Sequence, residues 1–385
     1  MIPFLKRFFL LDSARPRNAA MEGLRGLAVL LVFFVHFAAA FAVHFTDIGF
    51  KQRLGESLFV TAREQGSAGV FLVALSRQQY GVDLFFLLSG FLIMRLAARG
   101  QADAYVPFLW RRWLRIYPAF LLSLLAGVWL RDIRILGREP HWSTLATGEF
   151  LQNLLFLNGC PGVRCPPYNY VTWSLFPEFV FYLAFPGLLA LWQRRARTGG
   201  LASIVLLAAS VLLCRWLERF PMFLCGALLG MARDEDLAEL ARSMPTWAVA
   251  AVYLAVTGVY MVFQPSFAYF VPFYACAAAL LFVKACFAEG WLQRLFAWTP
   301  LRGLGNISYS FYLVHGLCLT FLQTIAPPLL MGLRARVVFL IFLIASFTLS
   351  MVMSIVLFAI AERWYFRWRA GSQQAEMAPP HARAA

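Results

Sequence analysis

Two ionisable residues fall inside the first long apolar run of the chain, LRGLAVLLVFFVHFAAAF: Arg25 and His36. At ~100° per residue in an α-helix, eleven steps return His36 to within about 20° of Arg25, and at ~1.5 Å per residue the two lie about 16 Å apart along the axis. One helix face then carries a cation near its start and an imidazole about halfway along. An imidazole in apolar surroundings suits a general base, which must be neutral before it takes a proton. The competing reading is a histidine held by a hydrogen bond to a neighbouring helix.

Arg112 and Arg115 form an R-x-x-R pair in FLWRRWLRIYP, beside Arg111. The spacing puts both on one helix face. Guanidinium forks suit phosphate, whether of a ligand or of lipid headgroups. Glu178 lies in WSLFPEFVFY, after Trp173 and Ser174. Ser174 is a candidate helix cap, and Pro177 falls where a missing N–H costs little. Glu178 is then a base or an orienter for His36 if the two helices meet, and otherwise a partly exposed interfacial acid. Asp83 opens the run YGVDLFFLLSGFLI, where Ser89 and Gly90 permit close helix packing. Tyr309 and His315 lie in NISYSFYLVHG, and no same-face charge accompanies His315. Glu362 stands beside Arg363, an expected ion pair at an interface. Cys160 and Cys165 flank a Pro-Gly turn as a disulfide or as two thiols. The remaining histidines, His44, His141 and His381, are too dispersed to suggest a metal site, and no Walker loop, GxGxxG, GxSxG or HExxH motif occurs.

These residues need elements to hold them. Hydrophobic residues make up 61% of the chain and charged residues 14%, against about 25% charged in an ordinary soluble domain. The apolar residues recur in runs of roughly 17–25, the length that crosses ~30 Å of hydrocarbon as a helix. Lipid offers backbone groups no partners, so the spans must be helical. The expectation is an all-α transmembrane bundle of about ten spans, near 24–43, 81–98, 108–130, 174–193, 201–216, 219–232, 246–263, 268–287, 304–325 and 336–360. Residues 1–23 form a cytoplasmic or interfacial lead-in rather than a cleaved signal, and residues 364–385 a small polar tail expected to be disordered. Long outer loops fall at 44–80 and 131–173, the second with a short helix on or dipping into the bilayer. With the N-terminus inside, 22 of the 34 Lys and Arg residues face the cytoplasm, which supports both termini inside. The net charge of +15 does not indicate nucleic acid, because the arginines cluster at the ends of apolar runs, as headgroups favour.

The segments MEGLRGLAVLLVFFVH, GVDLFFLLSGFLI, FLWRRWLRIYP, NLLFLNG with WSLFPEFVFYLAFP, GNISYSFYLVH and the terminal AER, in that order, resemble the bacterial membrane acyltransferase 3 family. The resemblance runs from Met21 to Arg363. The family's Arg-ten-residues-His motif lands on Arg25 and His36, its R-x-x-R on Arg112 and Arg115, and its W-S-L-x-x-E on Trp173, Ser174, Leu175 and Glu178. Two positions depart from the pattern: Glu22 replaces the usual Asp, and Trp364 the usual Pro. No fused SGNH-type hydrolase domain is evident.

The resemblance implies a multi-pass protein of the bacterial inner membrane and a cytoplasmic acyl-coenzyme A donor, with no permanently bound cofactor. It implies a carbohydrate acceptor, such as O-antigen, capsule, exopolysaccharide or peptidoglycan, or a metabolite such as a macrolide. Arg25, Arg112 and Arg115 would then hold the donor phosphates. His36 would act as base or transient acyl carrier, and Glu178 on the acceptor side. Asp83, Trp173, Ser174, Tyr309 and His315 would support them. The alternative is a proton-coupled transporter or lipid-linked glycan translocase using the same His and Glu as a relay.

Overall fold

The computed structural model describes residues 18–45, 69–98, 105–136, 147–194 and 219–366, apart from positions 161 and 331, together with positions 9, 67 and 368. Among the described residues the fold is all helix. The first apolar run forms α1 (Ala19–Phe45), followed by α2 (Gly81–Ala98) and α3 (Tyr105–Leu136). A short α4 (Gly148–Leu154) lies in the long loop before α5 (Leu175–Arg194). Then come α6 (Phe220–Met231), the polar α7 (Asp234–Ser243), α8 (Thr246–Phe263) and α9 (Phe267–Phe287). Two short helices, α10 (Trp291–Phe296) and α11 (Thr299–Asn306), lead into α12 (Ser308–Leu330) and α13 (Ala335–Leu357).

The expected spans coincide with helices everywhere except 201–216, which lies outside the described residues, as do residues 1–8 and 10–17 of the lead-in expected at 1–23 and the tail beyond 368. Among the described residues, seven helices are long and apolar enough to cross a membrane, so length alone does not support ten crossings. The span expected at 219–232 is the shortfall that can be explained. At 12 residues α6 reaches only about 18 Å, short of ~30 Å of hydrocarbon.

The expected outer loop at 44–80 is also partly helical. Residues 69–76 form a helix that runs on into α2 through a turn at 77–80. Its sequence, GVFLVALS, is apolar, and Leu72 and Val73 are buried. Arg77 ends this helix fully buried, its Nη1 donating to the Met261 carbonyl at 2.6 Å.

Glycine permits a close helix crossing between α2 and α6. A Cβ on Gly90 would stand 2.1 Å from the Phe223 carbonyl oxygen, and one on Gly226 1.9 Å from that of Leu87, so α2 and α6 meet backbone to backbone. At the other end of α6, the polar α7 is tied down by Lys284 of α9. Its ammonium donates to the carbonyls of Ala241 and Met244, both at 2.7 Å, where the helix leaves acceptors unsatisfied.

The start of α1, the start of α12 and the end of α13 lie together. Arg25 bonds Ser308, and Ser310 bonds Glu362. The helix departs from α geometry at that point, with a π turn at Phe358–Glu362.

Candidate active site

Arg25 is held by the packing of α1 against α11. A Cβ on Gly305 would stand 1.8 Å from the Glu22 carbonyl oxygen, so only glycine admits this approach. Glu22, where the family pattern has Asp, pairs with Arg302 at 2.9 Å and links the two helices. One turn further, Arg25 donates from Nε and Nη2 to Ser308 Oγ at 3.3 and 3.1 Å.

Helices α1, α2, α3, α5 and α12 line a partly open pocket whose empty space, its open mouth included, is about 810 Å³. Arg25, Arg112 and Arg115 all line it, with Glu178, Tyr182, Ser308 and Tyr309. Residues from four separate runs thus converge, and arginines from two of them give the lining its cationic character. Aromatic faces hold two of these guanidinium groups: Arg112 lies 5.5 and 5.6 Å from the rings of Phe108 and Tyr182, and Arg115 5.9 Å from that of Phe366. Tyr309 donates to the Ile116 carbonyl at 2.9 Å and ties α12 to the helix that carries both arginines.

His36 does not line this cavity. Its Nδ1 lies 3.0 Å from Nε2 of His315, and His315 Nδ1 lies 3.2 Å from the Phe311 carbonyl. His315 is fully buried and His36 partly so. Sequence spacing offered His315 no same-face charge, because its partner is on another helix. Tyr312 connects the two sites: it lines the cavity, and its ring centroid is 5.8 Å from that of His315.

The loop before α5 closes over the histidines. Glu149 of α4 pairs with Arg131 at 2.9 Å, while the Leu154 carbonyl accepts from Tyr117. The loop therefore runs along α3 from Arg131 toward Tyr117. It then climbs to Asn169, whose Nδ2 donates to the Leu313 carbonyl at 2.8 Å. Tyr170 stands 5.1 Å from His36, ring to ring. Gly316 makes room for it, since a Cβ there would meet Val171 at 2.8 Å and Tyr170 at 3.1 Å.

Several expected site residues take other roles. Ser174 does not cap α5. It ends a 3-10 turn, Tyr170–Ser174, and its hydroxyl pairs with Tyr312 OH at 2.8 Å. Glu178 is not the partner of His36: it accepts from Ser89 Oγ at 3.3 Å and from Tyr182 OH, inside the cationic cavity. Asp83 is fully buried and accepts from Arg219 Nη1 at both carboxylate oxygens, 2.8 and 2.7 Å. Arg219 also lies 4.9 Å from the Trp173 ring, which gives Trp173 a packing role.

Cys160 and Cys165 are both thiols. Cys165 turns inward to accept from Asn153 Nδ2 at 3.2 Å, while Cys160 is half-exposed. Glu362 was not among the expected site residues. It is buried, accepts from Ser310 Oγ, and lies within the electrostatic reach of Arg115 and Arg25. The signal available for it was an acid at the end of an apolar run, which an interfacial ion pair explained equally well. Among the described residues no cluster of His, Cys, Asp and Glu is arranged to hold a metal ion.

An all-helical bundle of membrane-length helices with a cationic pocket and a histidine pair between helices defines a multi-pass membrane protein. The acyltransferase domain of the acyltransferase 3 family matches residues 18–355, and the chain belongs to that family. It is similar to the acyltransferase MdmB of Streptomyces mycarofaciens, 31% identical over 47% of this chain and 40% of that protein. It is similar also to the putative peptidoglycan O-acetyltransferase YrhL of Bacillus subtilis (strain 168), 28% identical over 61% of this chain and 43% of that protein. Nodulation protein 10 of Rhizobium leguminosarum bv. viciae is 30% identical over 32% of this chain and 37% of that protein. The chain thus spans less than half the length of each of these relatives. No solved structure matches it significantly.

Proposed function

We propose that this chain is a membrane O-acyltransferase of the bacterial inner membrane. It moves an acetyl or similar short acyl group from cytoplasmic acyl-coenzyme A to a hydroxyl of an extracytoplasmic carbohydrate. The observation that carries this reading is the convergence of Arg25, Arg112 and Arg115 on one pocket between α1, α2, α3, α5 and α12. Three guanidinium groups from two helices suit a ligand with several phosphates, as coenzyme A has. The carbohydrate acceptor follows the relative named as a peptidoglycan O-acetyltransferase.

In this scheme the donor phosphates rest on the three arginines, and the pantetheine arm extends past Tyr312 toward His36. His36 takes the proton of the acceptor hydroxyl. The hydroxyl oxygen attacks the thioester carbon, the C–S bond breaks, and the leaving thiolate receives the proton from His36. In a covalent variant of the scheme the same imidazole carries the acyl group briefly. Glu178 accepts from Ser89 and Tyr182 and holds the cavity wall beside the donor.

The test uses membranes containing the wild-type or His36→Ala protein at equal levels, supplied with labelled acetyl-coenzyme A. The expected result is label in extracytoplasmic carbohydrate for wild type and a loss of about 100-fold or more for the variant. Undiminished transfer by His36→Ala sinks the role of that residue. Labelled protein trapped on acid quench without acceptor identifies the covalent route.

A further inference from the structure

We infer that His315 is a positioning residue that fixes the tautomer of His36, leaving the lone pair of His36 on Nε2. This deepens the proposed function and rests on it for the catalytic consequence. The hydrogen-bond chain decides the direction. A carbonyl oxygen only accepts, so His315 Nδ1, 3.2 Å from the Phe311 carbonyl, carries the proton. A neutral imidazole has one N–H, so His315 Nε2 is an acceptor. His36 Nδ1, 3.0 Å from it, must therefore donate. With its proton on Nδ1, neutral His36 presents Nε2 as the base or nucleophile.

Free histidine in water favours the opposite tautomer, with the proton on Nε2, so the neighbour's acceptor is what selects this one. An orienting partner on one ring nitrogen commonly sets the chemistry of the other. Here the partner is neutral and the chain ends on a backbone carbonyl. The surrounding packing keeps it so. Phe311 stacks on His315 at 6.1 Å, interplanar 10°, and Phe33 meets it edge-on at 6.5 Å. Neither ring offers His315 Nε2 a competing donor. When His36 accepts a proton during turnover, its Nδ1–H still donates to His315, and the imidazolium keeps its orientation.

The experiment compares His315→Leu, which removes the acceptor, with His315→Gln, whose side-chain carbonyl can replace it at nearly the same reach. Each variant is made in the full chain and reconstituted in lipid nanodiscs. The nitrogens of His36 are read by ¹⁵N NMR, and kcat and KM for acetyl-coenzyme A are measured alongside. The expected wild-type spectrum shows a protonated Nδ1 and an unprotonated Nε2 on His36. In His315→Leu the tautomer shifts toward Nε2–H, and kcat falls by about 100-fold or more, the size of a lost general-base contribution, with KM little changed. His315→Gln restores the Nδ1–H tautomer and most of kcat.

An Nε2–H tautomer in wild type, or an unchanged tautomer in His315→Leu, overturns the inference. The spectrum reports the tautomer whether or not His36 proves catalytic. Failure of the proposed function, seen as full activity in His36→Ala, is therefore read separately.

Discussion

His36 and His315 stand 279 residues apart in the chain, and their ring nitrogens stand 3.0 Å apart in the fold. The pair is the centre of the molecule's polar interior. Around it, Tyr312 and Ser174 lead to the cationic cavity, and Tyr170 closes the loop side.

The arginine cavity makes a prediction about donor affinity. Replacing Arg112 and Arg115 together with Ala removes two guanidinium groups from the lining. A charge-assisted hydrogen bond contributes about 1.5–3 kcal/mol, and ~1.4 kcal/mol is tenfold in affinity. KM for acetyl-coenzyme A should rise at least about tenfold, with KM for the acceptor changing less. Steady-state kinetics with each substrate varied in turn check this. An unchanged donor KM removes the phosphate site.

The Asp83–Arg219 pair predicts a stability pattern. Asp83 is 0% exposed and Arg219 12%. Removing one partner of a buried pair strands the other charge, at a cost of about 3–5 kcal/mol, whereas replacing both by apolar residues is often close to neutral. Asp83→Leu alone should lower Tm more than the double variant with Arg219→Leu. Thermal unfolding in nanodiscs measures both. A double variant no more stable than the single one contradicts the ion-pair account.

Gly305 predicts a coupling between packing and donor binding. An added Cβ would stand 1.8 Å from the Glu22 carbonyl oxygen, a backbone atom that cannot turn aside. Overpacking of this kind costs about 1–3 kcal/mol. It also pushes α1 away from α11, one turn from Arg25. Gly305→Ala should therefore lower Tm and raise the donor KM together. A stable variant with wild-type KM shows that the helices can part without moving Arg25.

The loop thiols predict a difference in reactivity. Burial pushes the Cys165 thiol up, and the Glu149 carboxylate nearby adds to the shift. A raised pKa leaves less thiolate at any given pH, and the thiolate is what reacts. A maleimide at neutral pH should modify the half-exposed Cys160 well before Cys165. Raising the pH should narrow the gap, because more of the Cys165 thiol then ionises. Peptide mass spectrometry over a time course reads both rates.

Helix content and the ionisable residues within it were legible in the sequence for a local reason. Lipid forces a backbone to satisfy itself within each apolar run, and helical periodicity then orders Arg25 and His36 on one face without reference to the rest of the chain. The convergence of α1 and α3 was suggested by chemistry, since both carry arginines where an apolar run begins. Short or dipping elements were less legible. The 12-residue α6 and the helix at 69–76 depend on what they pack against, and composition alone gives that no weight.

The pairings were decided only by tertiary structure. Glu178 is one acid on one helix, and nothing in its spacing says whether it will meet His36 or, as it does, Ser89 and Tyr182. His315 carries no companion on its own face, so its role appears only when α12 lies against α1. Glycines at 90, 226 and 305 let backbones come close enough to fix those contacts. Periodicity along one helix is set by bond geometry over a few residues. A partner across helices is set by how whole surfaces pack, and that information is spread through the entire chain.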